Sequence, residues 1–453
     1  MSLASSSDRL GSYSRASVPR THATRGTWDL LLICLAVYLA TAVGRVHQLF
    51  PILASFKLAL VAGILSIGLY LACARGIRGI ATLWSPTTKH LLLLLLWVAL
   101  SIPGALVQGE SFRLLTGDFI KTVIMYLVIV GAVRGPRDVE RLVCVYFASA
   151  VVYAAVALSR FDIGDSYRWG ALYFYDANDL ATFIVTAFPL GLYFLLAPRR
   201  LAYRALGGVG LVVLAAAFLR TGSRGGFLAL LGVAVFFLVG YSGLRVGWRI
   251  LSTAVLVALF TLSASDSYWT RMQTILHPSE DYNYSSYAGR WQIWRRGVGY
   301  MLQRPLFGVG AGNFSTAEGT LSPEVAQLQE RGVGVPWKAA HNSLVQIGAE
   351  LGVPGLLFFL GMIVTTFGAL RAVRRAERSY PPVGRGPPRL ALPLTASFVG
   401  LVVGACFLSL AYQAMPYMLA AFAVALRKVT GTSAVARPRP ALWRWRRETP
   451  QTI

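Results

Sequence analysis

Acidic side chains are scarce in this chain: its 453 residues include 19 Asp and Glu against 43 Lys and Arg, and charged residues of both signs amount to only 14%. A soluble domain carries about 25% charged residues. The shortfall, together with 55% hydrophobic residues and a mean hydropathy of +0.57, excludes an ordinary water-soluble globule and places the chain in the membrane class. Cysteine is also sparse. Cys34, Cys73, Cys144 and Cys406 lie within or beside apolar segments; they have neither metal-ligand spacing nor a partner in a loop, so they read as small buried hydrophobes. No His/Asp/Glu spacing matches a structural metal or a two-metal phosphotransfer site. Gly308-Val-Gly-Ala-Gly312 is not a dinucleotide fingerprint, because a strand does not precede it. The first 27 residues lack an apolar core and are rich in Arg and Ser, which describes a disordered cytoplasmic tail and not a cleaved signal. The net charge of +24 does not imply a nucleic-acid partner, since the arginines sit in short loops between apolar runs and not on one soluble face.

Apolar runs of about 20 residues, the length that spans a bilayer, recur along the whole chain. About twelve are expected, near 28–46, 52–74, 89–107, 116–133, 139–158, 178–197, 202–219, 226–243, 249–265, 343–370, 390–409 and 412–427. The expected fold is therefore an all-α polytopic membrane protein over residues 28–430. Alternate loops are basic: Arg75, Arg78 and Lys89; Arg199, Arg200 and Arg204; Arg245 and Arg249; Arg371 to Arg389; and the tail 431–453. The positive-inside rule assigns these loops and both termini to the cytoplasm, and the basic tails either touch anionic lipids there or act only as topology determinants. The opposite loops are nearly neutral or acidic.

One loop stands apart. Residues 266–342 form a long extracytoplasmic connection, and loops of that length are usually functional. Within it Trp291, Trp294, Val298, Met301 and Leu302 recur at helical spacing, which predicts an amphipathic helix on the membrane surface. Pro305 ends the helix, and Gly308, Gly310 and Gly312 are expected to form a flexible turn. Neither an internal repeat nor a separate soluble domain is visible.

The candidate functional residues cluster at span ends on the outer side. Arg220 and Arg224 flank the tight turn Thr221-Gly-Ser223. They either snorkel to lipid phosphates or, as permanently charged forks, bind phosphate oxygens. Arg290 opens the surface helix, where free N–H groups and the helix dipole favour an anion; for it the anion-site and solvated readings stay open, while Arg295 and Arg296 read as solvated. His341 directly precedes the tenth span; it is either a packed capping residue or a general base for an attacking hydroxyl, with Asn342 orienting it or capping the helix. Asp176 and Asn178, with Arg168 upstream, exceed what one helix cap needs, and sugar-hydroxyl binding is the second reading. Glu350 sits about 13 Å below His341 at about 1.5 Å per residue, as an acid within a span that pairs with an arginine or serves the site. Gly352 and Pro354 are expected to kink that helix.

In sequence order these elements resemble the O-antigen ligase and polymerase superfamily of bacterial envelope glycosyltransferases. The resemblance rests on Asp176-Ala-Asn178-Asp179-Leu-Ala, Ser223-Arg224-Gly225, Arg290 in Gly-Arg-Trp-Gln-Ile-Trp, Arg304-Pro-Leu-Phe-Gly-Val-Gly-Ala-Gly-Asn313-Phe, His341-Asn342-Ser-Leu, and Glu350-Leu-Gly-Val-Pro-Gly. It covers roughly residues 165–410 and departs from the family's Asp-Pro-Asn at Ala177. The resemblance implies a helical fold like that of the GT-C glycosyltransferases. It also implies metal-independent transfer of a glycan from undecaprenyl diphosphate to an acceptor hydroxyl on the periplasmic face of the inner membrane, with no cofactor. Arg224 and Arg290 would hold the diphosphate, and His341 would activate the acceptor or assist the leaving group. Lipid A-core is the favoured acceptor. A polymerase or a protein O-oligosaccharyltransferase shares the scaffold and remains an alternative. An anion transporter is the reading from another class; the sequence has neither paired half-sequences nor matching broken helices to favour it.

Overall fold

The computed structural model describes residues 27–162, 168–170, 172, 175–197, 201–240, 247, 266–276, 289–322, 327, 330–332, 337–379 and 386–435. Its principal helices are α1 (Leu30–Ala42), α2 (Leu58–Ala72), α3 (Pro86–Ser101), α4 (Gln108–Ala132, with a π turn at Leu115–Phe119), α5 (Pro136–Arg160), α6 (Ala177–Leu195), α7 (Leu201–Thr221) and α8 (Arg224–Gly240). In the long loop follow α9 (Asp266–Gln273), α10 (Arg290–Gln303) and α11 (Phe314–Thr320), and the chain continues through α12 (Ser343–Glu377), α13 (Ala391–Ala405) and α14 (Ala414–Val435). Eleven of these, α1–α8 and α12–α14, fall on expected apolar segments. The remaining segment, 249–265, lies outside the described residues, as do 1–26 and 436–453. Among the described residues six helices, α3 to α7 and α12, are long and apolar enough to cross a membrane.

Local chemistry sets the helix starts. Asp29 caps α1 by accepting from Leu32 N–H at 3.0 Å; Ser85 caps α3 through Thr88 N–H at 3.0 Å, followed by Pro86 at the first helical position. Such caps satisfy amide donors that a helix leaves orphaned at its N-terminus. Helix α6 packs on α5, α7, α8 and α13, and α14 packs on α4 and α12. Phe119, Tyr146, Phe183, Phe398 and Phe422 fill the space between them. Leu93, Leu96 and Leu100 of α3, and Leu357 and Val364 of α12, face outward. Hydrocarbon accommodates such stripes, which water would penalise, so the molecule is membrane-integral.

One end of the bundle carries a basic network. Arg78 and Arg134 both bind Asp29 (2.5 and 3.2 Å), and Arg134 and Arg141 bind Asp138 (2.8 and 3.0 Å). Lys428 of α14 donates to Gly131 O at 3.0 Å at the same end. The candidate functional residues lie at the other end.

Helix α12 is 35 residues long. A straight helix of that length would measure about 52 Å at about 1.5 Å per residue, against a hydrocarbon core of about 30 Å. The expected kink resolves the mismatch: Gly352 adopts φ 67° and ψ −166°. The arm that follows is about 37 Å long by the same rise, and the Ser343–Leu351 arm belongs to the loop layer. The break is secured by Val353 N–H to Pro305 O at 2.8 Å, and a Cβ on residue 352 would lie 2.3 Å from that oxygen.

The glycine turn differs from the expectation of flexibility. Gly308, Gly310 and Gly312 take φ of 61°, 97° and 76°, a region that suits glycine, and the turn is bonded on both sides. Val309 and Gly310 N–H donate to Ala349 O and Glu350 O, each at 2.9 Å. On the other side Leu106 N–H meets Val309 O at 2.9 Å, Ser111 Oγ donates to Ala311 O at 2.7 Å, and Val107 N–H donates to Asn313 Oδ1 at 2.9 Å. Here glycine permits close backbone approach, and the turn is rigid as a result.

Candidate active site

Five segments meet at the end opposite the basic network: the stretch before α6, the α7–α8 turn, the start of α10, the start of α12, and the α13–α14 connection. Asp176 accepts from Asn178 and Asp179 N–H at 2.6 and 2.7 Å, and Asp179 reciprocates to form a capping box. Capping therefore occupies one Asp176 oxygen. Asn178 is used differently: its Oδ1 accepts from Ser223 Oγ at 2.8 Å, which ties α6 to the α7–α8 turn. Ser223 Oγ also accepts from Gly226 N–H at 3.1 Å, so it caps α8. Gly222, at φ 53°, allows the tight turn.

That turn aims Arg224 toward the loop layer, where its guanidinium donates to Thr274 Oγ1 at 2.6 Å. Arg224 lies within electrostatic reach of Arg290 and Arg168. Arg168 is held beside Trp169, which is fully buried and whose N–H donates to Arg220 O at 3.1 Å. Arg220 itself contributes that carbonyl; the residue is exposed and does not line the crevice between α6, α8 and α10. A narrow crevice of about 160 Å³ runs between Asn178, Ser223, Gly225, Arg290 and Phe407.

His341 stands at φ 47°, an uncommon backbone state for a residue other than glycine. Its N–H donates to Ser409 Oγ at 2.9 Å. The neighbouring Ser343 donates to Leu408 O at 2.7 Å and accepts from Leu410 N–H at 2.9 Å, and Trp294 Nε1 donates to Ala340 O at 2.9 Å. The histidine is thus held by its backbone, leaving the ring for other work. Burial, reinforced by the charge of Arg290 and opposed by Asp176, holds its imidazole below the ordinary histidine pKa. A depressed pKa keeps the ring neutral near pH 7, as a proton acceptor requires.

Asn342 caps α12, accepting from Leu344 and Val345 N–H at 3.0 and 3.1 Å. Glu350, 1% exposed, accepts from Gly312 N–H at 2.9 Å and Phe314 N–H at 3.1 Å. The structure therefore gathers Arg168, Arg224, Arg290, Asp176, Asn178 and His341, and sets Arg220 and Glu350 apart from them. Ser285 and Ser286, which precede Arg290, lie outside the described residues.

Helix α10 is amphipathic as expected, with Trp291, Val298 and Leu302 exposed and Ile293, Gly297 and Tyr300 buried. One expectation fails there. Arg296 is not solvated: it forms an ion pair with Glu318 at 2.5 Å, its side chain 9% exposed, and Tyr300 OH donates to the same carboxylate at 2.9 Å. Arg295 is exposed, as the sequence implied. Ser409 and Arg45 were not singled out by sequence. Nothing marks a serine in an apolar connection, but Arg45 is a basic residue in a short loop at the candidate-site end of the bundle, away from the basic network, which the positive-inside rule makes unusual.

Comparison with known proteins adds an independent line. No curated protein matches the chain. Residues 209–360 match the family described as O-antigen ligase, an interval that includes Arg224, Arg290, His341 and Glu350 and leaves Arg168, Asp176, Asn178 and Ser409 outside. With the ordered motifs on either side of that interval, the match supports the O-antigen ligase and polymerase superfamily.

Proposed function

We propose that the protein transfers a glycan from undecaprenyl diphosphate to an acceptor hydroxyl at the periplasmic face of the inner membrane, with lipid A-core as acceptor. The convergence of Arg168, Arg224 and Arg290 beside a neutral, backbone-clamped His341 carries the reading. Like charges brought together in a partly buried crevice repel one another, and an anion removes that cost. A diphosphate supplies the charge, and guanidinium forks match its oxygens.

In this reading Arg224 and Arg290 hold the diphosphate, with Arg168 behind them. The acceptor oxygen attacks the anomeric carbon as His341 takes its proton. The bond from that carbon to the phosphate oxygen breaks, and its electron pair leaves with undecaprenyl diphosphate. The arginines stabilise the charge that develops on the leaving group, the task a divalent ion performs in other transferases. A single displacement inverts the anomeric configuration. Asp176 and Asn178 shape the rim, Asn342 sets the start of α12, and Glu350 acts by fixing the glycine turn.

The basic network at the other end, on Arg78, Arg134, Arg141 and Lys428, supports a cytoplasmic assignment for that end and for both termini. The test is transfer by the purified protein from a lipid-diphosphate-linked glycan, in chelator, to lipid A-core, to a second lipid-linked repeat, or to a serine-containing peptide. Transfer to lipid A-core that is lost in His341→Ala, with inverted linkage by NMR, supports the proposal. Use of a lipid-linked repeat or the peptide instead would make the enzyme a polymerase or a protein transferase. Absence of any product would overturn the proposal.

A further inference from the structure

A second cleft abuts the first. It is lined by Arg45, Tyr175, Leu410 and Gln413, and its enclosed space is small, about 30 Å³, room for a phosphate or carboxylate group at its mouth and not for a whole sugar. Two short segments connect the clefts. In one, Asn178 lines the Arg290 crevice and Tyr175 lines the second cleft. In the other, Leu408 lines the crevice and Leu410 the second cleft, while Ser409 between them holds His341. The histidine backbone is therefore anchored where the two clefts divide.

The second cleft is basic at its mouth. Arg45 has φ 54°, a left-handed state that sets its side chain over the Tyr175 ring, 5.9 Å from guanidinium carbon to centroid. Tyr175 is itself fixed by donating to Val43 O at 2.5 Å. The same connection carries His47, whose Nδ1 is buried without a hydrogen-bond partner among the described residues. Arg160 braces the connection from α5 by donating to Leu49 O at 2.8 Å. Asp179, within electrostatic reach of Arg45, offsets part of this charge.

A two-substrate transfer needs one site on each side of its base. We propose that the Arg45 cleft is the anion-binding part of the acceptor subsite: it receives the phosphate or carboxylate that a saccharide acceptor bears near the attacking hydroxyl, with the anionic group on Arg45 and the sugar ring outside the mouth, beside the exposed Gln413. The inference rests on the glycosyl-transfer reading above and adds to it the acceptor's site and its charge.

The test uses the purified full-length protein, a lipid-diphosphate-linked glycan donor, and lipid A-core as acceptor in phosphorylated and chemically dephosphorylated forms. Arg45→Gln is expected to raise the acceptor KM about tenfold, the loss of one ion-pair contact of about 1.4 kcal/mol. Donor KM and kcat should stay unchanged, and Arg45→Lys should recover part of the loss. On dephosphorylated acceptor the parent and Arg45→Gln should be alike. Gln413→Trp, at an exposed position on the rim, should raise the acceptor KM without lowering the melting temperature, which guards against a folding defect in the Arg45 variants. A rise in donor KM, or a fall in kcat alone, would overturn the assignment. Binding of each acceptor form, measured by tryptophan fluorescence, gives a readout apart from turnover. If the parent transfers nothing yet binds phosphorylated acceptor in an Arg45-dependent way, the glycosyl-transfer reading fails and the subsite stands. If phosphatidylglycerol vesicles compete equally with the acceptor, the cleft holds a lipid headgroup and the proposal fails.

Discussion

Glu350→Ala tests how the loop layer is held. The Glu350 carboxylate bridges two amides, Gly312 N–H at 2.9 Å and Phe314 N–H at 3.1 Å, on the far wall of the glycine turn. A hydrogen bond within a protein contributes about 0.5–1.5 kcal/mol, so removing both acceptors loosens the turn by about 1–3 kcal/mol. At about 1.4 kcal/mol per tenfold this is roughly a 5- to 100-fold loss of protection against hydrogen exchange, confined to the local unit. Glu350→Gln retains one acceptor oxygen and should lose about half of that free energy. The assay is hydrogen exchange by mass spectrometry in detergent, on peptides spanning 306–318, beside transfer activity. The backbone bonds from Val309 and Gly310 to α12 do not involve the side chain, so the remainder of the protein should keep its protection. If Glu350→Ala abolished transfer while exchange at Gly312 and Phe314 stayed at the parent rate, the carboxylate would be acting on substrate, and the positioning role argued here would be wrong.

Four further outcomes are expected. His341→Ala should lose about 10²- to 10⁴-fold in kcat, the range for a general base. Because burial and Arg290 lower the His341 pKa, the acid limb of kcat/KM should lie below the ordinary histidine range; Arg290→Gln removes a positive neighbour, favours imidazolium, and should move the residual limb to higher pH. Arg224→Ala should cost about 10²- to 10³-fold in kcat, comparable to removing one donor to a developing oxyanion, with Arg224→Lys recovering only part because it keeps the charge and loses the fork. Glu318→Ala leaves Arg296 buried without its carboxylate and should destabilise by about 3–5 kcal/mol, read as a lower melting temperature. Arg296→Met combined with Glu318→Leu should melt near the parent.

The helices were legible because burial in lipid writes itself as long apolar runs, and α1–α8 and α12–α14 follow those runs. Gly352 and Pro354 announced the break in α12, since the dihedrals of one and the ring of the other resist a straight helix. Arg224, Arg290 and His341 stood out for a related reason: charge at a span end needs a cause. The glycine turn was misjudged because glycine permits both mobility and close packing, and only the seat on residues 105–111 decides between them. Arg296 was misjudged because its partner, Glu318, lies 22 residues away on another helix, beyond any local pattern. Ser409 was invisible for the same reason, as its partner His341 is 68 residues distant.

The anchoring of His341 by the α13–α14 connection has a consequence for the order of assembly. Arg224, Arg290 and His341 are all synthesised before Leu408, Ser409 and Leu410, the residues that clamp the histidine segment. A chain halted on the ribosome short of residue 410 would contain every candidate catalytic side chain without the contacts that align them. Because the clamp joins residues 68 apart in sequence, the His341 segment acquires its anchor only after the α13–α14 connection has been made.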